Sequence, residues 1–450
     1  MSYGAIRCNR TISMSKVTLM SYDIYMTKTR IIAAIEIGSS KVATLIGQIA
    51  TDPISAETSI NVVGAASVDS KGIKKGQVVD IEEAVEATIS SVEAAERMAG
   101  CNLDSAYVAI GGAHIHSQNS HGVVAISDPS GEITGNDVDR VIEAASAVSL
   151  PTSREIIHVL PREFVVDGET GVKDPVGMSG VRLEVDTHIV SAASAAVKNV
   201  QKALKEVGIE ITDLVFSGLA SAYTAVSPTE KELGSVLVDI GGGTTSIAVY
   251  IDGSLTYSGV IPVGARNITN DLAIGLRVSL ETAEKIKIAL STKKKKIGDS
   301  EDSDGDEMDL TGLGIAEIKK VSKKTLLEGI IRPRLNEIFT MVRIELEREE
   351  LVSKIPSGVV ITGGGAETAG VIDSARRMLS MPVRIGFPKG IGGLMDDIMV
   401  PSFATTVGLL HYGARHLPEE NLTMFAKKIR LPKATGIFGR VLDSIRDLLP

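Results

Sequence analysis

Residues 31–37 are apolar except at Glu36, the run breaks at Gly38-Ser39-Ser40, and an apolar run returns over 41–46. Short apolar runs bounded by a turn signal predict two buried strands joined by a tight turn. Residues 60–68 predict a third strand. Over 81–98 the period becomes helical, with Ile81, Val85, Thr88, Ile89 and Val92 on one face and Glu82, Glu83, Glu86, Glu93 and Glu96 largely off it.

The same pattern comes back much later. Residues 235–240 form an apolar strand, Gly241-Gly242-Gly243 turns it, 244–250 run back, 254–261 add a third strand, and a helix follows near Asn267. Glu36-Ile37-Gly38 and Asp239-Ile240-Gly241 hold the same place in the two copies, 203 residues apart. A repeat that long is no solenoid and predicts two similar lobes. Residues 106–183 read as a unit inserted between the copies. It has short strands at 106–110, 123–127 and 156–160, and a helix after Thr134 bearing Val138, Val141, Ile142 and Ala145. The organisation expected is an arm at 1–29, a first lobe at 30–105 and 184–233, and a second-lobe core at 234–271 and 357–420. An outer subdomain fills 272–356, with a solvated charged loop at 293–309.

Composition trims the functional classes. At 450 residues the chain is long enough for about three compact units. A net charge of -9, no Trp and 3% aromatic residues argue against a nucleic-acid partner, whether gripped by charge or by base stacking. Cys8 and Cys101 are too few for a disulfide framework and fit a reducing compartment. No stretch approaches the roughly 18 apolar residues of a membrane span, and the first 30 lack the apolar core of a secretory signal.

Three glycine-centred turns carry the candidate chemistry. Main-chain N–H groups in tight turns bind phosphate without bulk, and Gly or Ser lets the backbone come close. Gly38, Ser39, Ser40 and the charged Lys41 make one such turn; Gly241, Gly242, Gly243, Thr244 and Thr245 make its counterpart. The third, Gly363-Gly364-Gly365, follows an apolar strand at 359–362 and precedes a helix through Ala369, Ile372, Ala375 and Leu379. Each turn alone is weak evidence; the ordered trio on a duplicated chain is strong. Neither a P-loop nor a dinucleotide fingerprint is present.

These segments resemble the actin, Hsp70 and sugar-kinase superfamily and, within it, the FtsA family of bacterial cell-division proteins. The resemblance rests on IEIGSSKVATLIG at 35–47, VDIGGGTTSIAVY at 238–250 and VITGGGAETAGV at 360–371. DPVGMSGVRLEV at 174–185, SGLASAY at 217–223, VRIGFP at 383–388 and ATTVGLLHYG at 404–413 add to it. It implies an α/β, actin-like two-lobed fold with duplicated mixed-sheet domains and an FtsA-type subdomain inserted in the first lobe. It also implies ATP with Mg²⁺: the first two turns on the phosphates, Asp239 organising the metal, Gly363 to Gly365 against the adenosine, and Glu284 reaching the ribose. The family polymerises into filaments and tethers the division ring to the cytoplasmic face of the membrane. Its partners would be the C-terminal tail of the tubulin-like ring protein FtsZ, with Arg334 and Glu337 as candidates on a helix at 330–346, and later division proteins through the insert.

The chain end predicts a second function. In 436–450, Ile437, Phe438, Val441, Leu442, Ile445, Leu448 and Leu449 share one helical face, while Arg440, Asp443, Ser444, Arg446 and Asp447 take the other. Beyond a linker at 421–435 broken by Pro432, the span from Lys427 onward holds six basic and two acidic residues. Such a helix suits an anionic membrane surface, weakly as one copy and tightly as many.

Hydrolysis needs a group that orients the attacking water. Superfamily members with appreciable ATPase activity place Gln or Glu near the segment resembling 215–223, which here has neither, and Glu36 stands where actin has Asp. Tight binding with slow turnover is therefore expected. A small-molecule kinase of the same fold and the actin-like adaptor of type IV pilus machinery are the rival readings. A calcium loop at 300–311 fails for want of a twelfth-position Glu, and His114, His116 and His121 have no neighbouring Cys or carboxylate cluster in sequence.

Overall fold

The structure, a computed structural model, describes residues 29–51, 58–128, 130–296, 306–310, 320–394 and 397–416. The expected N-terminal arm but for its last residue, most of the charged loop, the linker and the terminal amphipathic helix with Ile437, Phe438, Val441, Leu442, Ile445, Leu448 and Leu449 lie outside them.

The first apolar runs form β1 (Thr29–Ile37) and β2 (Lys41–Thr51), an antiparallel hairpin, and β3 (Thr58–Asp69) lies against β2. They outrun the apolar pattern because ladder bonds come from backbone, which carries polar Gln48 and Thr51 along. A small hairpin of β4 (Ile73–Lys74) and β5 (Gln77–Val78) leads to α1 (Ile81–Ala99). The Asp80 carboxylate caps α1 by accepting from the Glu83 N–H at 3.1 Å, and Gly100 ends it at φ 69°.

The buried face of α1 differs from the expected one. Ala84, Ala87, Thr88, Ser91, Val92 and Ala95 are buried, whereas Ile81, Val85 and Ile89 flank the contact. The helix crosses its sheet too closely for large side chains: a Cβ on Gly64 of β3 would lie 2.5 Å from the Ala95 carbonyl oxygen. The hydroxyls of Thr44 and Ser91 satisfy each other at 2.9 Å inside that contact.

Next come β6 (Ser105–Ile110), β7 (His116–Ala125), α2 (Gly135–Ser146), β8 (Arg154–Val166), β9 (Glu169–Val172) and β10 (Arg182–Ala193). The sheets correct the insert's expected limits of 106 and 183. β6 pairs in parallel with β1 and belongs to the first lobe, while all of β10 lies at the centre of a separate sheet ordered β7-β10-β8-β9. Hydrophobicity looks alike on either side of both junctions; only pairing assigns the strands.

The chain returns through α3 (Ser194–Val207) and β11 (Glu210–Phe216), then crosses on α4 (Ser217–Ala225) and α5 (Pro228–Leu233). The second copy holds β12 (Ser235–Ile240), β13 (Thr245–Ile251), β14 (Ser254–Ile261), α6 (Ala265–Leu276) and α7 (Leu280–Lys296). A short hairpin of β15 (Glu307–Asp309) and β16 (Lys320–Ser322) precedes α8 (Lys323–Leu326), which runs through a π-helical turn at Leu327–Ile331 into α9 (Arg332–Arg348). This continuous helical stretch begins before the expected residue 330. Finally come β17 (Val359–Thr362), α10 (Val371–Leu379), β18 (Val383–Ile385), β19 (Gly392–Gly393) and α11 (Ala404–Arg415).

Two sheets frame the lobes, ordered β11-β6-β1-β2-β3-β19 and β14-β13-β12-β17-β18. The chain end is divided between them, which corrects the expected assignment of 357–420 to the second lobe. β19 pairs with β3, and Val407, Leu409 and Leu410 of α11 join a core containing Ile32, Leu45 and Phe216 of the first lobe together with Leu237 and Ala248 of the second. Helices α4 and α11 cross so closely that a Cβ on Gly408 would lie 1.8 Å from the Ala220 carbonyl oxygen.

Gly408→Ala must therefore separate the two helices that join the lobes. An unfolding loss of about 1–3 kcal/mol is expected in urea titration. Gly329→Ala, where an added Cβ meets nothing within 4 Å, should be neutral or stabilising by up to about 1 kcal/mol.

Candidate functional site

The duplicated hairpins converge. In one, the Gly38 N–H donates to the Lys41 carbonyl at 3.0 Å; in the other, the Gly241 N–H donates to that of Thr244 at 2.8 Å. The two turns face each other across a cleft of about 650 Å³. Their approach excludes side chains: a Cβ on Gly242 would fall 2.7 Å from the Ser40 Cβ, and one on Gly243 2.7 Å from the Ser39 Oγ. The Ser39 hydroxyl accepts from the Gly76 N–H at 2.8 Å, and the Arg266 guanidinium donates to the Ser39 carbonyl at 3.2 Å, tying the lobes together. The α6 N-terminus is seated on the second turn through Ala265 N–H to Gly241 and Arg266 N–H to Gly242, bringing its positive dipole end to the cleft.

Behind the turns lies a cluster of charge. The Glu36 Oε2 and Lys41 Nζ are both buried and make no hydrogen bond among the described residues, while the ammonium sits 3.5 Å from the centroid of the Phe403 ring. Asp239 is buried, and its Oδ2 accepts from the Ser221 hydroxyl at 2.5 Å and from that of Thr405 at 3.1 Å. Burial pushes Glu36 up to about 7, with the Lys41 ammonium opposing and the Asp239 carboxylate reinforcing the shift. Burial likewise lowers Lys41 and raises Asp239. An ammonium and a carboxylate oxygen left unbonded in a walled cleft are costly unless a ligand completes them.

The third turn closes the cleft from the second lobe. Gly363 adopts φ 81°, and a Cβ there would lie 2.2 Å from the Asp239 Oδ1. A Cβ on Gly365 would fall 2.3 Å from the Ile240 Cγ2, so backbone alone fits beside the strand. Opposite, α7 presents Leu280, Glu284 and Ile288 at four-residue steps toward the same space. Leu280 and Ile288 are exposed apolar side chains, the walls a flat ring system requires. The Glu284 Oε2 is fixed by the Thr269 hydroxyl at 2.5 Å and the buried Lys287 ammonium at 2.8 Å.

Of the residues singled out from sequence, Gly38, Ser39, Ser40, Lys41, Asp239, Gly241, Gly242, Gly243, Thr244, Glu284, Gly363, Gly364 and Gly365 all line this cleft. Thr245 does not. It is the first residue of β13, fully buried, and its hydroxyl donates to the Val263 carbonyl at 2.9 Å. Strand alternation turns it away from the face that Thr244 and Ser246 present. Arg334 and Glu337 lie outside the cleft: the guanidinium binds both carboxylate oxygens of Asp271, at 2.6 and 2.9 Å, and also meets Glu337. Sequence reading missed Arg266 and Lys287, whose helices carry no motif, and Ser246 and Thr405, which lie inside the quoted segments 238–250 and 404–413 but outside their glycine turns. His121 has carboxylate partners after all, Asp186 at 2.8 Å and Glu184 at 3.0 Å, supplied by β10 across the insert's sheet.

The chain also has relatives. A family model described as "SHS2 domain inserted in FTSA" matches residues 112–191, and one described as "Cell division protein FtsA" matches 236–408. The cell division protein FtsA of Pseudomonas aeruginosa is 40% identical over 384 residues, covering 85% of this chain and 89% of that one. FtsA of Escherichia coli K12 is 35% identical, covering 87% and 92%, and that of Bacillus subtilis 37%, covering 87% and 85%. Among solved structures, one titled "PilM-PilN type IV pilus biogenesis complex" matches with a TM-score of 0.59 at 17% identity, covering 85% of this chain and 98% of that one; it supports the actin-like fold alone.

Glu36 gives the cleft a pH signature. Its folded pKa of about 7 exceeds the ordinary 4.5, so its contribution to stability is full below about pH 4.5 and lost as pH rises through 7. Glu36→Gln removes that titration. Its stability relative to the parent should rise by about 3 kcal/mol between pH 4.5 and 8, as followed by denaturant titration.

Proposed function

The chain belongs to the FtsA family of cell division proteins, and from that premise we propose that it binds Mg²⁺–ATP between its lobes, assembles into filaments, and anchors the FtsZ ring to the membrane. The actin-like fold and the cell-division role come with the family. The ligand, the polymer and the anchor are our reading, supported by one observation above others. Two copies of the same turn meet at the cleft with room only for glycine at 242 and 243 against the small side chains of Ser40 and Ser39, beside an ammonium that has no hydrogen-bond partner among the described residues.

A triphosphate meets the demands of this site. The turn N–H groups donate to anionic oxygens, and Lys41 gains the acceptors it lacks. The metal supplies charge neutralisation between phosphate oxygens when bound. Asp239, held by Ser221 and Thr405, is set to organise its waters. Gly363–Gly365 and the Leu280–Ile288 stripe would hold the base, and Glu284 would bind the sugar hydroxyls.

Turnover should be slow for a reason visible in the cleft. Ser217 opens α4 at the cleft floor, and its hydroxyl is paired with that of Ser246 at 3.0 Å, across the lobes. Residues 215–223 offer no Gln or Glu to orient water. Membrane attachment rests on the apolar stripe from Ile437 to Leu449 and the basic run before it. Ring attachment rests on the α9 surface around Arg334 and Glu337. There Arg334 is already paired with Asp271, so an acidic tail would have to compete for it.

Calorimetry with Mg²⁺–ATP should show binding that Lys41→Ala weakens by at least ~10-fold, the loss expected when charge-assisted bonds are removed. Turnover should stay below about 1 per second, under the ordinary enzyme range. Deleting 436–450 should abolish co-sedimentation with anionic vesicles while leaving nucleotide binding intact; unchanged pelleting would refute the anchor.

A further inference from the structure

The inserted unit is covalently part of the first lobe, yet its open sheet face grips the second. β14 is the outer strand of the second sheet, and Ser258 pairs inward with Ala248 of β13. An outer strand would leave the outward N–H and C=O of Ser258 unpaired. Both are satisfied by one hydroxyl of the insert: Ser117 Oγ donates to the Ser258 carbonyl at 2.8 Å and accepts from its N–H at 3.1 Å. The Ser258 side chain is held as well, its Oγ lying 3.0 Å from the His188 Nε2. His188 Nδ1 faces the Asn119 Oδ1 at 2.8 Å, which makes Nδ1 the donor and leaves Nε2 to accept from Ser258. Four residues along β14, the Ser254 hydroxyl donates to the Arg162 carbonyl of β8 at 3.0 Å. Apolar packing runs through the same junction, with Val190 and Ala192 of β10 sharing one core with Tyr250 and Leu255.

The insert's root meets the cleft at its other end. Gly111-Gly112 joins β6 to the insert, and Gly112 sits at φ 134°, open only to glycine. A Cβ on Gly76 would lie 2.7 Å from the Gly111 carbonyl oxygen, and the N–H of that same Gly76 is bound by the Ser39 hydroxyl of the first turn.

We propose that the inserted unit is a clamp between the lobes: rooted at Gly111-Gly112 beside the first turn and gripping Ser258 of the second lobe, it moves with the second lobe, so cleft closure and insert orientation are one coupled motion. The two glycines at the root supply the backbone freedom of a hinge, and the Ser117–Ser258–His188 cluster supplies the grip. A partner that binds the insert in one orientation thereby biases the cleft, and a cleft ligand biases the insert by the same free energy. The ligand half of this coupling rests on the nucleotide reading above; the clamp itself does not.

Amide hydrogen exchange on the full chain tests it, read at Ser258 and over residues 111–115, with and without saturating Mg²⁺–ATP. Ser117→Ala removes the hydroxyl serving both outward groups of Ser258, and Ser117→Thr restores it. Exchange at Ser258 should be at least ~10-fold faster in the alanine variant and within about twofold of the parent in the threonine variant. Unchanged exchange in Ser117→Ala overturns the clamp. If that variant does not fold, Ser258→Ala, which deletes only the hydroxyl held by His188, gives the second reading; at least ~3-fold faster exchange at Ser258 supports the clamp and unchanged exchange overturns it. Where calorimetry shows Mg²⁺–ATP binding, the ligand should slow exchange over 111–115 by at least ~5-fold in the parent and less than ~2-fold in Ser117→Ala. Equal slowing in both refutes the coupling. Where calorimetry shows no binding, the nucleotide reading fails, and Ser258 exchange alone decides the clamp.

Discussion

Two stretches of backbone from duplicated halves of one chain approach until no Cβ fits between them, and the rest of the molecule is arranged around that contact. Gly242 and Gly243 stand against Ser40 and Ser39 at distances that real Cβ atoms do not tolerate. Glycine there carries an entropic penalty in the unfolded chain, so something must hold the turns in place. Each turn is closed by its own backbone bond and flanked by a hairpin whose far ends lie in separate sheets. The lobes are joined at the α4–α11 crossing, where Gly408 again lets backbone meet backbone. The same device, glycine at a close approach, shapes both the site and the helix crossing beneath it.

That rigidity makes the electrostatics of the cleft consequential. Glu36, Lys41 and Asp239 sit within one electrostatic neighbourhood and are drawn from both lobes. Asp239 is stabilised by two hydroxyls, but one oxygen of Glu36 and the ammonium of Lys41 have no hydrogen-bond partner among the described residues. In a mobile cleft such groups would turn to water. Held by strands β1, β2 and β12, they remain as unfilled demand, an ammonium and a carboxylate oxygen side by side in one cleft.

The insert belongs to the same scheme. Its own small core around Phe164, Val166, Leu183 and Val185 makes it a unit, while its lower strands join the larger core shared by both lobes. The outward backbone groups of the edge strand at Ser258 are capped by Ser117, and His188 holds the Ser258 hydroxyl. The insert, read from sequence as a part of the first lobe, therefore also contacts the second.

The sequence alone determined the elements that depend on local chemistry. The two hairpins, their glycine turns, the duplication and the strand at Val359–Thr362 are legible because apolar runs and glycine clusters signal short-range geometry. Nearly every residue singled out for the nucleotide site, Thr245 excepted, lines the cleft for the same reason, since the motif and the turn coincide. What only the tertiary structure decided is pairing across long separations. It gave β6 to the first lobe and all of β10 to the insert, sent α11 back under the first sheet, and chose the small face of α1 over its β-branched one. It turned Thr245 away from the cleft, fixed Arg334 on Asp271, and brought Arg266 and His121 to partners far along the chain. Hydrophobic period reports that a residue is buried; which surface buries it is set by backbone ladders and close crossings that no local pattern encodes.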